Sequence, residues 1–208
     1  MHAPLAFAAL LMTAAPATAA TFAGAFWDHD GPLASLADAD AVIAGGAPDA
    51  VFAVPLIDFP AGAANTASDG TTLAAFLGLD AAALGAAAGA TLDQSVFRFT
   101  GFLDLPAGEA LFTVGSDDGF RLTVGDAVVS AFDGRRSFSE TAATTDAGEG
   151  LTPFELIYYE NQSVTGVEFS LNGALAVPTV VAAPAALPLL LAALGALAAF
   201  GRGGWRSA

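Results

Sequence analysis

The second half of the chain alternates apolar and polar residues with a period of two, which is typical of β-strands that bury one face. Gly125-Asp126 separates two of these runs in the manner of a two-residue hairpin turn. Many short runs with turn residues between them predict an all-β fold, an antiparallel β-sandwich. The predicted strands span residues 96–103, 110–115, 120–124, 127–129, 154–159 and 164–171.

The first half follows a different pattern, because residues 34–90 are rich in Ala, Gly and Asp. Pro55 and Pro60 bracket a short extended segment there. After a capping sequence at 69–72, apolar residues at helical spacing predict one helix over residues 72–88. Its apolar side consists of Leu73, Phe76, Leu77 and Leu84. We therefore expect a helical insertion in the β-sandwich.

The N-terminal residues 1–20 have the pattern of a cleavable signal peptide. An apolar run too short to span a bilayer precedes small residues, and we expect cleavage after Ala19 or Ala20. Positive charge ahead of this run is limited to the start amine and His2. The alternative interpretation is a buried core helix.

The C-terminal part carries an apolar segment with the length of a membrane helix. Residues 180–200 contain no charged side chain, and Arg202, Trp205 and Arg206 follow them. Because arginines stay on the cytoplasmic side and aromatic residues favour the interface, the domain is expected to face outward. The alternative is an apolar helix that packs on the domain.

Together these patterns predict four parts of an exported protein. A signal peptide at 1–20 precedes a β-sandwich domain at 21–175, and a Pro/Ala linker at 176–184 leads to a hydrophobic sorting or anchor segment at 185–208. The expected localisation is anchored in the inner membrane, or at the cell surface and outside the cell once the tail is processed.

The domain is strongly acidic. The chain has 21 Asp and Glu against 6 basic residues, a net charge of −15, and neither lysine nor cysteine. All the acids lie within residues 21–168. Such a surface repels phosphate backbones, which argues against nucleic acid as a partner, and it suits divalent cations; solubility alone is the alternative. Without cysteine, disulfides, thiol nucleophiles and zinc–thiolate sites are excluded.

Asp117 and Asp118 are adjacent carboxylates in a tight loop between two predicted strands. Their mutual repulsion would be relieved by a hard cation such as Ca²⁺, which takes several oxygen ligands. The alternative is a solvated turn whose aspartates accept backbone N–H bonds. The loop alone leaves both interpretations open.

Two blocks of sequence resemble the protective-antigen-type module, the PA-14 domain. The first contains Phe99-Thr100-Gly101-Phe102 and the run from Ser116 to Leu122, and the second is Tyr158-Tyr159-Glu160-Asn161. The blocks occur in the family's order, and the resemblance covers about residues 22–172. It implies a β-sandwich of the kind often appended to glycosidases, toxins and adhesins.

The resemblance also implies a Ca²⁺ site that binds sugar hydroxyls directly, as in the flocculin-type adhesins. Asp117 and Asp118 match the paired aspartates of those adhesins, whose Asp-Asp bond is cis. Asn161 matches the asparagine of the second loop that completes the metal site, so the resemblance implies Asp117, Asp118 and Asn161 as metal ligands. The backbone ligands and sugar contacts would come from the residues that follow, Gln162, Ser163 and Val164. The second loop is short and lacks a large aromatic for sugar stacking.

The tail resembles the C-terminal sorting signals of the VPLPA or PEP type, in which an exosortase-like transpeptidase cuts before the helix. Residues 181–186, the leucine-rich stretch and the terminal arginines match this order. Ala182-Ala183 stands where Pro-Leu is usual, so an uncleaved, anchored chain is the alternative.

The remaining candidates are weaker. His29 follows a predicted strand end and has no second histidine after residue 20; a turn is favoured there over a metal site. Gly134-Arg135-Arg136 is interpreted as a turn whose arginines pair with nearby acids, and an anion site is the alternative. A glycosidase pair would have to come from glutamates that we interpret mostly as solvated or strand-exposed: Glu140, Glu149, Glu155, Glu160 and Glu168.

We therefore expect a non-catalytic surface or matrix protein that binds glycans through Ca²⁺. The alternatives are a structural envelope or matrix protein without sugar binding, an accessory module of carbohydrate metabolism, and an enzyme with a converging acid pair.

Overall fold

A computed structural model describes residues 20–179, which form two antiparallel β-sheets packed around one apolar core. The predicted all-β fold is confirmed, with two small helices added. The predicted signal peptide falls outside the described residues, except for Ala20, and the segment at 185–208 lies wholly outside them. Among the residues described, no helix combines the length and apolar character needed to cross a membrane.

The elements follow one another in a simple order along the chain. They are β1 (Phe22–Asp28), α1 (Leu36–Gly45), β2 (Ala50–Val54), β3 (Asp58–Phe59), β4 (Ala67–Ser68), α2 (Leu73–Leu77), β5 (Ser95–Leu105), β6 (Ala110–Asp117), β7 (Phe120–Val124), β8 (Ala127–Phe132), β9 (Ser139–Thr145), β10 (Gly150–Glu160), β11 (Val164–Leu171) and β12 (Ala174–Leu175).

The first sheet has the strand order β2-β1-β5-β10-β7-β8, and the second has β12-β11-β6-β9 with β3 and β4 also paired to β11. The predicted spans of β7 and β11 are confirmed residue for residue. The hairpin at Gly125-Asp126 is confirmed too, because Val124 pairs with Ala127 across it.

The core between the sheets is dominated by phenylalanine. Phe97 of β5 has ring centroids on four sides, at 5.0 Å for Phe26, 5.6 Å for Phe76, 6.1 Å for Phe99 and 5.7 Å for Tyr158. Each fully buried ring removes apolar surface from water and contributes about 1.5–3 kcal/mol relative to an exposed position. This aromatic core sets the spacing of the two sheets.

Helix α1 covers one end of the outer face of the first sheet, where Trp27, Val96, Ile157 and Tyr159 are buried. The Ser35 hydroxyl caps the helix by accepting the Asp38 N–H. The helix is also tied to the sheet by the Arg121–Asp40 ion pair, at 2.7 Å.

The helix predicted over residues 72–88 is wrong beyond Leu77. Thr72 caps α2 as expected, but the α-helix ends after five residues and continues as two 3₁₀ segments, Gly78–Ala83 and Gly85–Gly89. Gly78 has φ of 59° and Gly85 has φ of 57°, so each breaks the right-handed helical path.

Helix α1 and the strands β2, β4, β9 and β12 were not predicted. α1 consists largely of Ala and Asp, and its buried residues are Leu36 and Ala39, so it lacks a strong apolar period. β9 is an edge strand of Ser, Glu, Thr and Ala without buried residues, so no alternation marks it.

The described chain leaves the sandwich beside β5. After β12, the Thr179 N–H donates a hydrogen bond to the Phe102 carbonyl oxygen at 3.0 Å. Phe102 stands opposite Pro153, near the start of β10.

Truncation of the central ring tests the role of the aromatic core. We expect Phe97→Ala to lower the free energy of unfolding by about 3–5 kcal/mol, because it leaves a cavity among packed rings. Urea unfolding followed by tryptophan fluorescence measures the change. Phe102→Ala on the outer face of the same strand is the control and should lose less than half as much; equal losses would contradict the assignment of the core.

Candidate metal centre

Three crossings between the sheets meet at one rim of the sandwich. β6 leads into β7, β8 into β9 and β10 into β11, each time from one sheet to the other. Antiparallel pairing brings the ends together, since Tyr158 stands opposite Phe120 and Gly166 opposite Asp117. Polar residues in these three turns therefore converge although they are distant in sequence.

Three carboxylates are buried at this rim. The exposed fraction is 3% for Asp117, 5% for Asp118 and 0% for Glu160. One carboxylate oxygen of each lies within 4.8 Å of the others. The Asp117–Asp118 peptide bond is cis, as the resemblance implies. A solvated turn, the alternative interpretation of this pair, does not fit such burial.

Backbone N–H groups of the neighbouring turns orient the two aspartates. Arg136 N–H donates to Asp118 Oδ1 and Phe138 N–H to Asp117 Oδ2, both at 2.8 Å, while Asn161 N–H donates to Asp118 Oδ2 at 3.1 Å. Charge-assisted bonds of this kind hold a carboxylate in one orientation and partly offset its desolvation.

Glu160 is held less completely. Its Oε2 accepts a hydrogen bond from the Tyr158 hydroxyl at 3.2 Å, but Oε1 is buried without a hydrogen-bond partner among the described residues. An unpartnered, buried carboxylate oxygen is unfavourable unless a proton or a cation satisfies it. This orphaned oxygen is the observation that fits a metal ion best.

Burial and like charges shift the titration of the cluster. Burial raises the pKa of Asp117 to about 6, against the lowering effect of the Phe138 N–H bond, and burial also raises the pKa of Asp118. Burial, with the neighbouring aspartates, raises the pKa of Glu160 to about 10. Without a cation, Glu160 therefore carries a proton at neutral pH.

The donor set consists of oxygen alone, which suits a hard cation such as Ca²⁺. Ca²⁺ takes about six to eight oxygen ligands in a flexible geometry, so three carboxylates would be supplemented by carbonyls, water or ligand hydroxyls. The residues present therefore fit the ion that the resemblance implies.

Asn161 lies beside the cluster, but its side chain is hydrogen-bonded to a residue outside the cluster. It is 2% exposed, and its Oδ1 accepts the Leu33 N–H at 3.1 Å. Its contact with Asp118 is made by its backbone N–H. The structure thus brings Asn161 to the aspartates as predicted, whereas ion binding by its side chain stays a prediction.

Gln162 and Ser163, predicted ligand-binding residues, are exposed at the rim. Ser163 is fixed by Asp69: its N–H donates to Asp69 Oδ2 at 2.6 Å, and its carbonyl accepts the Asp69 N–H at 3.1 Å. The carbonyl of Ser163, proposed above as a backbone ligand, therefore already accepts one hydrogen bond.

A cavity of about 310 Å³ opens at Asp117 and Asp118, a volume within the range of small-molecule binding sites. It is lined by Asp117, Asp118, Arg135, Arg136, Ser137, Asn161, Gln162, Ser163 and Val164.

Arg136 supports this cavity from within the domain. Its guanidinium lies 4.4 Å from the Phe132 ring centroid and 5.5 Å from that of Phe120. Nη2 donates to Ser116 Oγ at 2.9 Å and Nη1 to Thr141 Oγ1 at 2.8 Å. These contacts anchor the 133–138 turn that supplies N–H donors to the aspartates.

Sequence reasoning missed Glu160, which was interpreted together with the other glutamates as solvated. That interpretation is confirmed for Glu140 and Glu149, which are exposed, and it is wrong for Glu160. The signal was present, because period two places Glu160 on the same inward face of β10 as Leu156 and Tyr158. His29 lies in a different cavity, beside α1.

No protein-family model matches the chain, and no curated protein does so either. Among solved structures, the PA14 domain of the MpAFP antifreeze protein superposes with a TM-score of 0.66 at 22% identity, covering 81% of this chain and 92% of that one.

Two further structures are similar. The PA14 sugar-binding domain from an RTX adhesin gives a TM-score of 0.64 at 24% identity, covering 77% of this chain and 95% of that one. An anti-sigma factor domain-containing protein from Clostridium clariflavum gives 0.51 at 15% identity, covering 83% of this chain and 50% of that one.

These neighbours confirm the resemblance at the level of the fold. The two with the higher TM-scores are PA14 domains of an antifreeze protein and an adhesin, not of a protective antigen. The described chain has the PA14 fold.

Proposed function

We propose that this chain is an exported, non-catalytic domain that binds carbohydrate through a Ca²⁺ ion held by Asp117, Asp118 and Glu160. The observation that supports it most strongly is the buried carboxylate cluster, in which Glu160 Oε1 has no hydrogen-bond partner among the described residues and Asp117 and Asp118 line an open cavity. The similarity to a PA14 domain described as sugar-binding supports the same function.

The chemistry of such a site follows from its ligands. Bound there, Ca²⁺ would supply open coordination positions for vicinal sugar hydroxyls. Asp117 and Asp118 would anchor the ion, and Asn161 would fix the turn beside it. The residues at the mouth, Gln162 and Ser163, would contact the sugar.

The cell-surface role rests on the two ends of the chain. A signal peptide at 1–20 would export the domain, and the segment at 185–208 would hold it in the membrane or be processed by an exosortase-like enzyme. The acidic surface, with 21 acids against 6 basic residues, fits display outside the cell.

Removal of the paired carboxylates tests the function. We expect binding to a glycan array to disappear in chelator, and to be lost by the double variant Asp117→Asn/Asp118→Asn in millimolar Ca²⁺. Calorimetry should show Ca²⁺ binding for the wild-type protein and none for the variant. Near 100-fold excess of Ca²⁺ over its Kd, the wild type should gain about 2.7 kcal/mol of stability.

The control is Glu109→Gln, which removes one charge from an exposed turn at the other end of β6. It should keep both Ca²⁺ and glycan binding. Glycan binding that persists in chelator, or in the double variant, would sink the proposal.

The pH dependence of stability tests the placement of Glu160. The pKa of Glu160 is about 10 in the folded domain and near 4.5 in the unfolded chain. Between pH 4.5 and pH 10 the folded state therefore holds a proton on this group that the unfolded state has lost. In chelator, stability should therefore fall as pH rises, by at most about 1.4 kcal/mol per pH unit from this group.

Urea unfolding at pH 6.5, 7.5 and 8.5 measures this slope. Glu160→Gln should flatten it, whereas Glu155→Gln, on the outer face of the same strand, should leave it unchanged. Ca²⁺ should weaken the slope in the wild type because the ion replaces the proton. A slope unaffected by Glu160→Gln would show that the carboxyl is not held as described.

A further inference from the structure

The basic residues of the described domain are unevenly distributed. The chain has 21 acids and no lysine, and residues 20–179 contain four arginines. Two of them, Arg135 and Arg136, line the cavity above the carboxylate cluster. Two of the four arginines of the described domain therefore lie at a single cavity, which overall charge balance does not explain.

Three of the four arginines are engaged within the domain. Arg98 lies over the Trp27 ring at 5.4 Å, and Arg121 forms a bidentate pair with Asp40 at 2.7 and 2.8 Å. Arg136 is held by two aromatic rings and two hydroxyls, as described above. Arg135 is exposed, and within residues 20–179 it forms no ion pair with an acid.

The backbone around Arg135 is nevertheless fixed. The Tyr159 hydroxyl donates to the Asp133 carbonyl at 2.7 Å, and the N–H groups of Arg136 and Phe138 are bonded to Asp118 and Asp117. Arg135 thus lies between anchored residues at the cavity, and within residues 20–179 its guanidinium forms no hydrogen bond or ion pair. This is the arrangement of a side chain available to a ligand.

Local charge at the mouth differs from that of the whole domain. With a divalent cation bound, the negative charges of Asp117, Asp118 and Glu160 are balanced by the ion and Arg135, and Arg136 adds one positive charge at the cavity. Two further acids lie near the cavity and accept backbone hydrogen bonds, Asp69 from the Ser163 N–H and Asp133 from the Leu36 N–H. More distant acids are screened by salt beyond about 8 Å at physiological ionic strength. At contact range, an anionic group on a ligand is therefore favoured.

We propose that the ligand is an acidic saccharide, and that Arg135 selects it by pairing with a carboxylate on the sugar. This rests on the proposed function, in which the hydroxyls of the same sugar bind at the Asp117–Asp118 ion. A uronic acid fits best, because a planar carboxylate matches the guanidinium in a bidentate pair.

Matched sugars test the selection. Calorimetry in Ca²⁺ should compare oligogalacturonate with the neutral galactose oligomer of the same length. We expect the wild-type protein to prefer the uronate by about tenfold or more. Arg135→Gln should lose this preference but keep its affinity for the neutral sugar, and Arg135→Lys should keep part of the preference.

A separate titration distinguishes selection from simple charge balancing. Removing a nearby positive charge should leave Ca²⁺ affinity unchanged or raise it, so Arg135→Gln is expected to bind the ion at least as well as the wild type. The control Arg98→Gln changes the same charge outside the cavity and should alter neither sugar preference nor Ca²⁺ affinity.

The outcomes separate the two proposals. Ca²⁺-dependent binding of both sugars with equal affinity, or a preference that survives Arg135→Gln, would overturn the acidic ligand while the proposed function stands. Failure to bind either sugar, together with no heat from Ca²⁺, would overturn both.

Discussion

The burial of Asp117, Asp118 and Glu160 at one rim constrains everything around them. Carboxylates within 4.8 Å repel one another once ionised, and burial removes the water that would weaken this repulsion. Backbone N–H groups stabilise the two aspartates, but they do not reach Glu160 Oε1. The rim therefore has two satisfactory states, one with a proton on Glu160 and one with a cation in its place.

The sandwich makes this arrangement possible because the three turns that cross from one sheet to the other lie at the same end of the domain. Each of the three turns is short, and each joins strands of different sheets, so their backbones are held from both sides. Arg136 fastens one turn to the core through Phe120 and Phe132, while Tyr158 links the β6 end to the start of β11. The stability of the core and the geometry of the site are thus coupled through a few side chains.

Much of the fold was predictable from the alternation of the strands, because half-buried strands such as β7 and β11 carry a strict period of two. α1 and β9 escaped prediction because their burial is slight, and the helix from Thr72 stops early at glycines with positive φ. Asp117 and Asp118 were found as adjacent charges in a loop. Glu160 was missed although the period of β10 places it on the inward face, because the contacts that keep an acid buried join turns that are distant in sequence. The same holds for the Asn161–Leu33 bond.

Thr179, the last residue that the structure describes, lies far from the carboxylate cluster. Thr179 is bonded to Phe102, which stands opposite Pro153, whereas the carboxylate cluster lies at Glu160 on the same strand. The intervening stretch of β10 corresponds to about 23 Å at the rise of an extended strand. Any attachment that follows residue 179 therefore starts from the pole opposite the cavity, so a domain fixed to a surface would point its cavity into the surrounding medium.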